Sequence, residues 1–328
     1  MMKSPRLSYH GSMRYLPRPT HPLRATFAAT NQRHATSSRW RAFGVRWLPV
    51  VLFFAIAFVL DRLTQQRYSA VFGSAAIVAS VLSVIPAVRP VTVALGAYGG
   101  IWVGFNLVRA GADDAGAALG SQSAVAGFET AMFGGILPSQ WLQEHWHDST
   151  HTQLHDVLLA VVHASFFVMP FVVAGVLWFR YRTVFGRYCW ATAIAFGLGA
   201  IGFLLLPTAP PWMSDPETVS RVTMQALAIG DGGSAVGGFR IEDSRLGFEP
   251  NHVAAMPSVH VAAAVLVGLA MRAVAPRLTV VGIGYALAMS LAVVYLGEHF
   301  VVDAVAGWVI ALAGWFLAPR LTAWLGRD

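Results

Sequence analysis

The sequence predicts an all-α fold, a polytopic integral-membrane helical bundle of about eight spans with interfacial helices on its outer side. Three observations carry this. Hydrophobic residues make up 56% of the 328 and charged residues only 12%, whereas a soluble domain has about a quarter of its residues charged. The mean hydropathy is +0.57. The apolar residues are gathered into runs of bilayer length, about 17 to 25 residues each. Lipid offers the backbone no hydrogen-bonding partner, so such runs must be helical. A lone cysteine, Cys189, excludes a disulfide scaffold within the chain.

Taken in order, residues 1–46 hold nine basic residues, from Lys3 to Arg46, and no acidic ones. They read as a cationic cytoplasmic tail without a fixed fold. A transit peptide is the alternative, but an apolar run follows directly and no small-residue cleavage pattern intervenes. The membrane-embedded domain is expected over 47–320, with a short cytoplasmic end at 321–328. Its spans are punctuated by Arg, Pro and polar residues at 44–60, 68–88, 91–110, 155–179, 188–206, 258–275, 278–297 and 300–318. With both termini inside, seventeen of the 23 basic residues face the cytoplasm, as the positive-inside rule requires. A plasma (inner) membrane location is expected, with no nucleic-acid partner.

Two outward segments are too long to be plain connectors. In 111–154, Phe128, Phe133, Leu137, Trp141, Leu142 and Trp146 alternate with polar residues, which suits one or two helices in the headgroup plane. In 207–257, a cluster from Gly230 to Gly238 reads as a flexible connector. Gly96, Gly100 and Gly104 recur every four residues, a spacing that lets another helix approach.

Ionisable groups are costly inside such a bundle, so each is a functional candidate. Asp303 follows His299 by one helical turn, and a carboxylate on one imidazole nitrogen makes the other more basic. His299 is thus a candidate nucleophile or base. Met256-Pro257-Ser258-Val259-His260 opens the sixth span, with Ser258 as N-cap and a helix start that favours anions. His260 lies in that first turn and meets the same leaflet as His299. Two imidazoles beside an anion-binding helix end point to in-line phosphoryl transfer through a phosphohistidine. Taken singly, each piece is ordinary: His-x-x-x-Asp is a weak pattern, and Ser at a helix start is common capping.

At these residues the chain resembles the type-2 phosphatidic acid phosphatase superfamily. Its later motifs, Pro-Ser-x-His and His-x-x-x-Asp, stand here as Pro257-Ser258-Val259-His260 and His299-Phe300-Val301-Val302-Asp303. The resemblance implies that His299 is the nucleophile, Asp303 its orienting partner and His260 the acid for the leaving oxygen. Two family features are missing. Ala292-Val293 replaces the usual Ser-Arg pair, and Leu82 stands where the early Lys-x6-Arg-Pro motif has Lys. The segments Pro207-Thr208-Ala209-Pro210-Pro211-Trp212 and Tyr295-Leu296-Gly297-Glu298-His299 are instead similar to the inositol phosphorylceramide synthase branch. That likeness implies transfer of a phospho-headgroup from a phospholipid donor to an alcohol acceptor, with no cofactor and no metal.

A transferring phosphoryl group needs positive charge around its equatorial oxygens. Outer-side basic residues are few: Arg62, Arg67, Arg109, Arg221, Arg240 and Arg245. Arg109, ending the third span, and Arg245, a dozen residues before the Pro-Ser-x-His turn, are the expected clamps, with Ser258 as a further phosphate contact. Each arginine could equally anchor at the interface.

His147, His151 and His155, spaced by four, would line one helix stripe beside His145, Asp148 and Asp156. They form either a zinc site or a polar stripe facing headgroups, and the lack of Cys or His-Glu-x-x-His favours the stripe. His163, alone in an apolar span, reads as a packing histidine. A carrier using His and Asp as a proton relay is the competing class of function, but the sequence shows no broken-helix repeats to support it.

Overall fold

The structure, a computed structural model, describes residues 82, 85–119, 124–227 and 254–325. The basic tail, the span at 44–60, nearly all of 68–88, the Gly230–Gly238 cluster and Arg245 lie outside the described residues. Among those described, the chain is helical, and a β-bridge between Thr208 and Ala254 ties two loop segments together.

α1 (Arg89–Leu119) covers the expected span at 91–110 and continues beyond it. The outward segment then forms two short helices, α2 (Ala124–Met132) and α3 (Pro138–Trp146). Phe128, Phe133, Trp141 and Trp146 are exposed on them, whereas Leu137 is buried. Pro138 opens α3, where a missing N–H costs nothing.

The expected continuous span at 155–179 is broken. α4 (Leu154–Ala164) and α5 (Met169–Arg180) meet at 49° across the 3₁₀ turn Ser165–Phe167. Pro170 accounts for the bend: it has no N–H to continue the ladder, and its ring clashes with the preceding turn. Ser165 Oγ adds a bond to the Val162 carbonyl at 2.5 Å.

α6 (Arg182–Leu205) runs until Pro207 forbids another turn. α7 (Pro211–Ser214) and α8 (Val222–Leu227) are short pieces of the loop that follows. α9 (Val259–Val274), α10 (Thr279–Tyr295) and α11 (Val301–Leu325) complete the bundle. Among the described residues, three helical segments are long and apolar enough to cross a membrane: Arg182–Leu205, Pro276–Tyr295 and Val301–Leu321. There are four if the bent pair is one span, fewer than the sequence predicts over the same region. α9 falls short because its cap at Ser258 and the break at Ala275-Pro276 leave it 16 residues, against the roughly 20 a bilayer core needs.

α9 is instead the centre of the bundle, with ten of its 16 residues buried against α6, α10 and α11. Its alanines and Gly268 permit this. A Cβ on Gly268 would stand 2.7 Å from the Gly282 carbonyl of α10, and one on Gly282 would stand 2.6 Å from the Gly268 Cα. Among the described residues, nothing lies within 4 Å of a Cβ built on Gly96, where a close approach is expected from the sequence. α1 is held by aromatic packing instead. Trp102 meets Phe196 of α6 at 4.9 Å and Phe166 of the 3₁₀ turn at 5.0 Å between ring centroids, pairs worth about 0.5–1.5 kcal/mol each beyond their buried area.

Chain direction separates two ends. α9 leaves Ser258 and carries Arg272 in its last turn, α10 returns to Glu298 and His299, and α11 leaves Asp303 towards Arg320. At the cationic end, Arg187 lies 4.2 Å above the Trp315 ring and donates to the Trp315 carbonyl at 3.1 Å. The histidines gather at the other.

Candidate active site

Three chain segments meet at the histidine end. Ser258 caps α9, its Oγ accepting from Val261 N–H at 3.4 Å, while its own N–H donates to the Asp303 carbonyl at 2.9 Å. That bond ties the start of α9 to the start of α11, and Ser258 is fully buried. The capped first turn then presents His260 from α9.

His299 belongs to the turn between α10 and α11. Gly297 makes that turn possible with φ +79°, a left-handed conformation that glycine adopts without penalty. Crowding requires glycine as well, because a Cβ there would stand 2.8 Å from the Ser220 carbonyl. His299 is 4% exposed and Asp303 is fully buried. Asp303 Oδ2 accepts the Phe300 N–H at 2.9 Å and lies 3.4 Å from His299 Nδ1. On its other side, His299 Nε2 stands 3.1 Å from His260 Nδ1.

The order Asp303, His299, His260 fixes the protons. If His299 directs Nδ1–H at the carboxylate, its Nε2 carries a lone pair, and His260 Nδ1–H donates to it. The arrangement therefore offers a buried nucleophilic nitrogen, a carboxylate behind it and a second imidazole in front, at the start of a helix whose dipole favours anions.

The neighbours include Phe166, which the sequence did not single out, and His163. His163 packs against His260 with ring centroids 4.7 Å apart and planes tilted by 36°, and Phe166 packs on His260 at 4.2 Å. The bend between α4 and α5 aims both at the site, so His163, expected as a packing histidine, lines it. Arg109 is half-buried within electrostatic reach of His260. Arg245 lies outside the described residues.

Glu298, next to His299, accepts from Arg221 Nε at 3.0 Å. Burial opposes its ionisation, but Arg221, His163 and hydrogen bonds outweigh that and hold the carboxyl below its ordinary value.

The expected stripe of His147, His151 and His155 is not one helix face. The chain turns between α3 and α4, so a spacing of four has no helical meaning there. His147 and His155 both turn onto Asp156, at 3.5 Å each, while His151 pairs with the exposed Asp148 at 3.4 Å. Among the described residues, no three His, Cys, Asp or Glu are grouped so as to hold a metal ion.

A family model for the PAP2 superfamily matches residues 123–317, more than half of the chain. The chain belongs to the PAP2 superfamily. No curated protein and no solved structure matches it. PAP2 superfamily chemistry is in general that of phosphatases and phosphotransferases. The matched region contains both imidazoles, Asp303, Arg221 and Glu298 and begins after α1, so Arg109 falls outside it.

Only the motif residues were readable in advance. Arg221 stands 77 positions before Glu298, and nothing distinguished it from the other outer arginines. Gln143 is farther still from its partners. Its Nε2 donates to the carbonyls of Tyr295 at 2.7 Å and Ser220 at 3.0 Å, and its Oε1 accepts from Ser220 N–H at 2.8 Å. The one available signal was a glutamine amid the aromatic residues of a short helix.

Proposed function

We propose that this PAP2 superfamily member is a membrane phosphotransferase that moves a phosphate-containing headgroup from a lipid donor to an alcohol acceptor through a phosphohistidine on His299. The supporting observation is the contact of 3.1 Å between His260 Nδ1 and His299 Nε2, with Asp303 behind His299. The two nitrogens face the same point, and an incoming phosphoryl group must part the rings to enter.

In the first half-reaction, His299 Nε2 forms a bond to phosphorus as the bond from phosphorus to the leaving oxygen breaks. His260, as imidazolium, gives its Nδ1 proton to that oxygen. In the second, His260 takes the proton of the acceptor hydroxyl, whose oxygen attacks phosphorus and releases His299. Asp303 holds Nδ1–H and stabilises the imidazolium-like charge of the intermediate. The N–H groups opening α9, with Ser258, Arg109 and Arg245, are the proposed phosphate contacts. No step calls for a metal, so turnover should persist in chelator.

Water as acceptor would make the same site a lipid phosphatase, of phosphatidate or polyprenyl-phosphate type. Transfer of a phospho-headgroup such as phosphoinositol is favoured by the absence of the Ser-Arg pair and by the Gly297-Glu298-His299 segment. The positive-inside charge pattern supports an extracytoplasmic site in the plasma (inner) membrane, with both termini cytoplasmic.

The test compares lipids from membranes carrying the parent or His299→Ala, by mass spectrometry. The species lost in the variant identifies the product. Rapid quench with donor labelled at phosphorus should trap acid-labile label on the parent and none on the variant. A parent that binds lipid but releases no headgroup would instead be a carrier, a reading to which the bent pair α4–α5 lends its only structural support.

A further inference from the structure

The reaction proposed above needs a cation at phosphorus, and two of the family positions that would supply one hold Leu82 and Val293. Arg221 reaches the residue next to the nucleophile from elsewhere in the chain. Its guanidinium lies 4.6 Å over the Trp212 ring, and Nε donates to Glu298, beside the nucleophile. The backbone on both sides is fixed. Trp212 N–H donates to the Gly297 carbonyl at 3.2 Å, and Gln143 clamps Ser220 to the Tyr295 carbonyl. His163, packed against His260, is within electrostatic reach of Arg221, Glu298 and His299 together.

The pair is too elaborate to be a surface ion pair. The Arg221 side chain is 25% exposed and that of Glu298 12%. An exposed pair is worth about 0–1 kcal/mol and needs no aromatic floor or clamp. Nε alone engages Glu298, and a guanidinium has further N–H donors in a planar fork that matches phosphate.

We propose that Arg221 is a further phosphate-binding cation of this site, beside Arg109 and Arg245, oriented by Glu298 and Trp212. The ligand is a phosphoryl group, carried by a lipid headgroup or free as inorganic phosphate. Glu298 is a positioning residue: it fixes which face of the fork turns to phosphorus, as carboxylates behind other ligand-binding groups do. The proposal rests on the phosphotransfer reading only for its catalytic consequence, since binding stands on the geometry alone.

The test uses the full-length protein in nanodiscs, with two readouts. Inorganic phosphate binding is followed by Trp fluorescence, with Trp212→Phe identifying the Trp212 component. Turnover is followed with lipid donor. Arg221→Gln should weaken phosphate binding and cut kcat/KM by ~10²-fold or more, the usual cost of one transition-state donor. Arg221→Lys should recover only part, because a point charge does not replace the fork. Glu298→Ala should raise KM more than it lowers kcat, and Glu298→Gln, which keeps an oxygen for Nε, should restore most of the loss.

Phosphate affinity in Arg221→Gln within twofold of the parent overturns the proposal. So does phosphate binding that is unchanged in every variant. If Arg221→Gln does not fold, Arg221→Lys decides, since parent-like affinity and kcat/KM there would exclude a fork-specific role. If no variant including the parent turns over lipid, phosphotransfer fails while the fluorescence arm still decides Arg221. Displacement of inorganic phosphate by phosphatidate vesicles assigns the site to a headgroup, and lack of displacement assigns it to free phosphate.

Discussion

Asp303 and Asp156 are both buried, both sit in the first turn of a helix, and both have histidines for company. Each also closes back on its own helix start, Asp303 accepting from Phe300 N–H at 2.9 Å and Asp156 from Gln153 N–H at 2.8 Å. What separates them is unused capacity. Asp156 takes the Tyr295 hydroxyl on Oδ1 and has His147 and His155 against its two oxygens. Asp303 has His299 beside Oδ2, and its Oδ1 has no hydrogen-bond partner among the described residues. Beyond His299 stands another imidazole rather than a backbone carbonyl. One carboxylate is fully committed to joining α4 to α10, while the other stands behind an imidazole whose far nitrogen faces a second imidazole. Residue type and spacing do not distinguish these cases; the partners left over do.

Substitution at the two sites should therefore separate activity from stability. The largest effect is expected for Asp303→Asn. It keeps an oxygen for Phe300 N–H but loses the charge on His299 and favours the wrong tautomer, so turnover should fall on the order of 10³- to 10⁴-fold, as in other histidine–carboxylate pairs. The melting temperature should barely move. Loss of melting temperature in proportion to turnover would mean that Asp303 is another structural carboxylate.

Next in size are Asp156→Asn and Tyr295→Phe. Each leaves a buried polar group short of a partner, at a cost of about 1–3 kcal/mol. Turnover per folded molecule should stay at the parent value, as judged by activity normalised to the folded fraction in a thermal melt. If Tyr295→Phe instead lowers kcat in a fully folded protein, the Asp156 cluster is part of the reaction and the contrast fails.

How far the sequence could anticipate this follows from the same distinction. The last three helices were legible because Ser258, Pro276 and the 298–300 turn mark their starts and the ends of the first two within one or two residues, whereas the third runs on to Leu325, past the expected end at 318. The Asp303–His299 relation was legible for the same reason, being one turn of one helix. The bend at Pro170 was also written in the chain, but an uninterrupted apolar run hid it. Arg221, Gln143 and Asp156 were not legible as a set, since their partners lie 77, 152 and 139 residues away and are brought near only by packing. A spacing of four in the histidine series misled because nothing local showed that the helix stops at Trp146.

The smallest expected effect concerns a third buried carboxylate, Glu129 of α2. Its Oε2 accepts from Val302 N–H at 2.9 Å, closing the start of the helix that carries Asp303. Burial raises its carboxyl above the ordinary value of 4.5. The bonds from Val302 and Val301 oppose this, and nearby Asp303 adds to it. A raised carboxyl holds its proton more tightly in the folded chain than in the unfolded one. Its contribution to stability is then greatest below the ordinary value and declines as pH rises through the folded value. Glu129→Gln keeps an oxygen for Val302 N–H and cannot ionise, so it should remove that decline. The variant should therefore be the more stable of the two at neutral pH. Melting temperatures of parent and variant, measured from pH 4 to 8 in the same nanodiscs, should coincide at the acid end and diverge above it. Parallel curves would show that Glu129 is ionised throughout, serving as a charged cap at the positive end of α11.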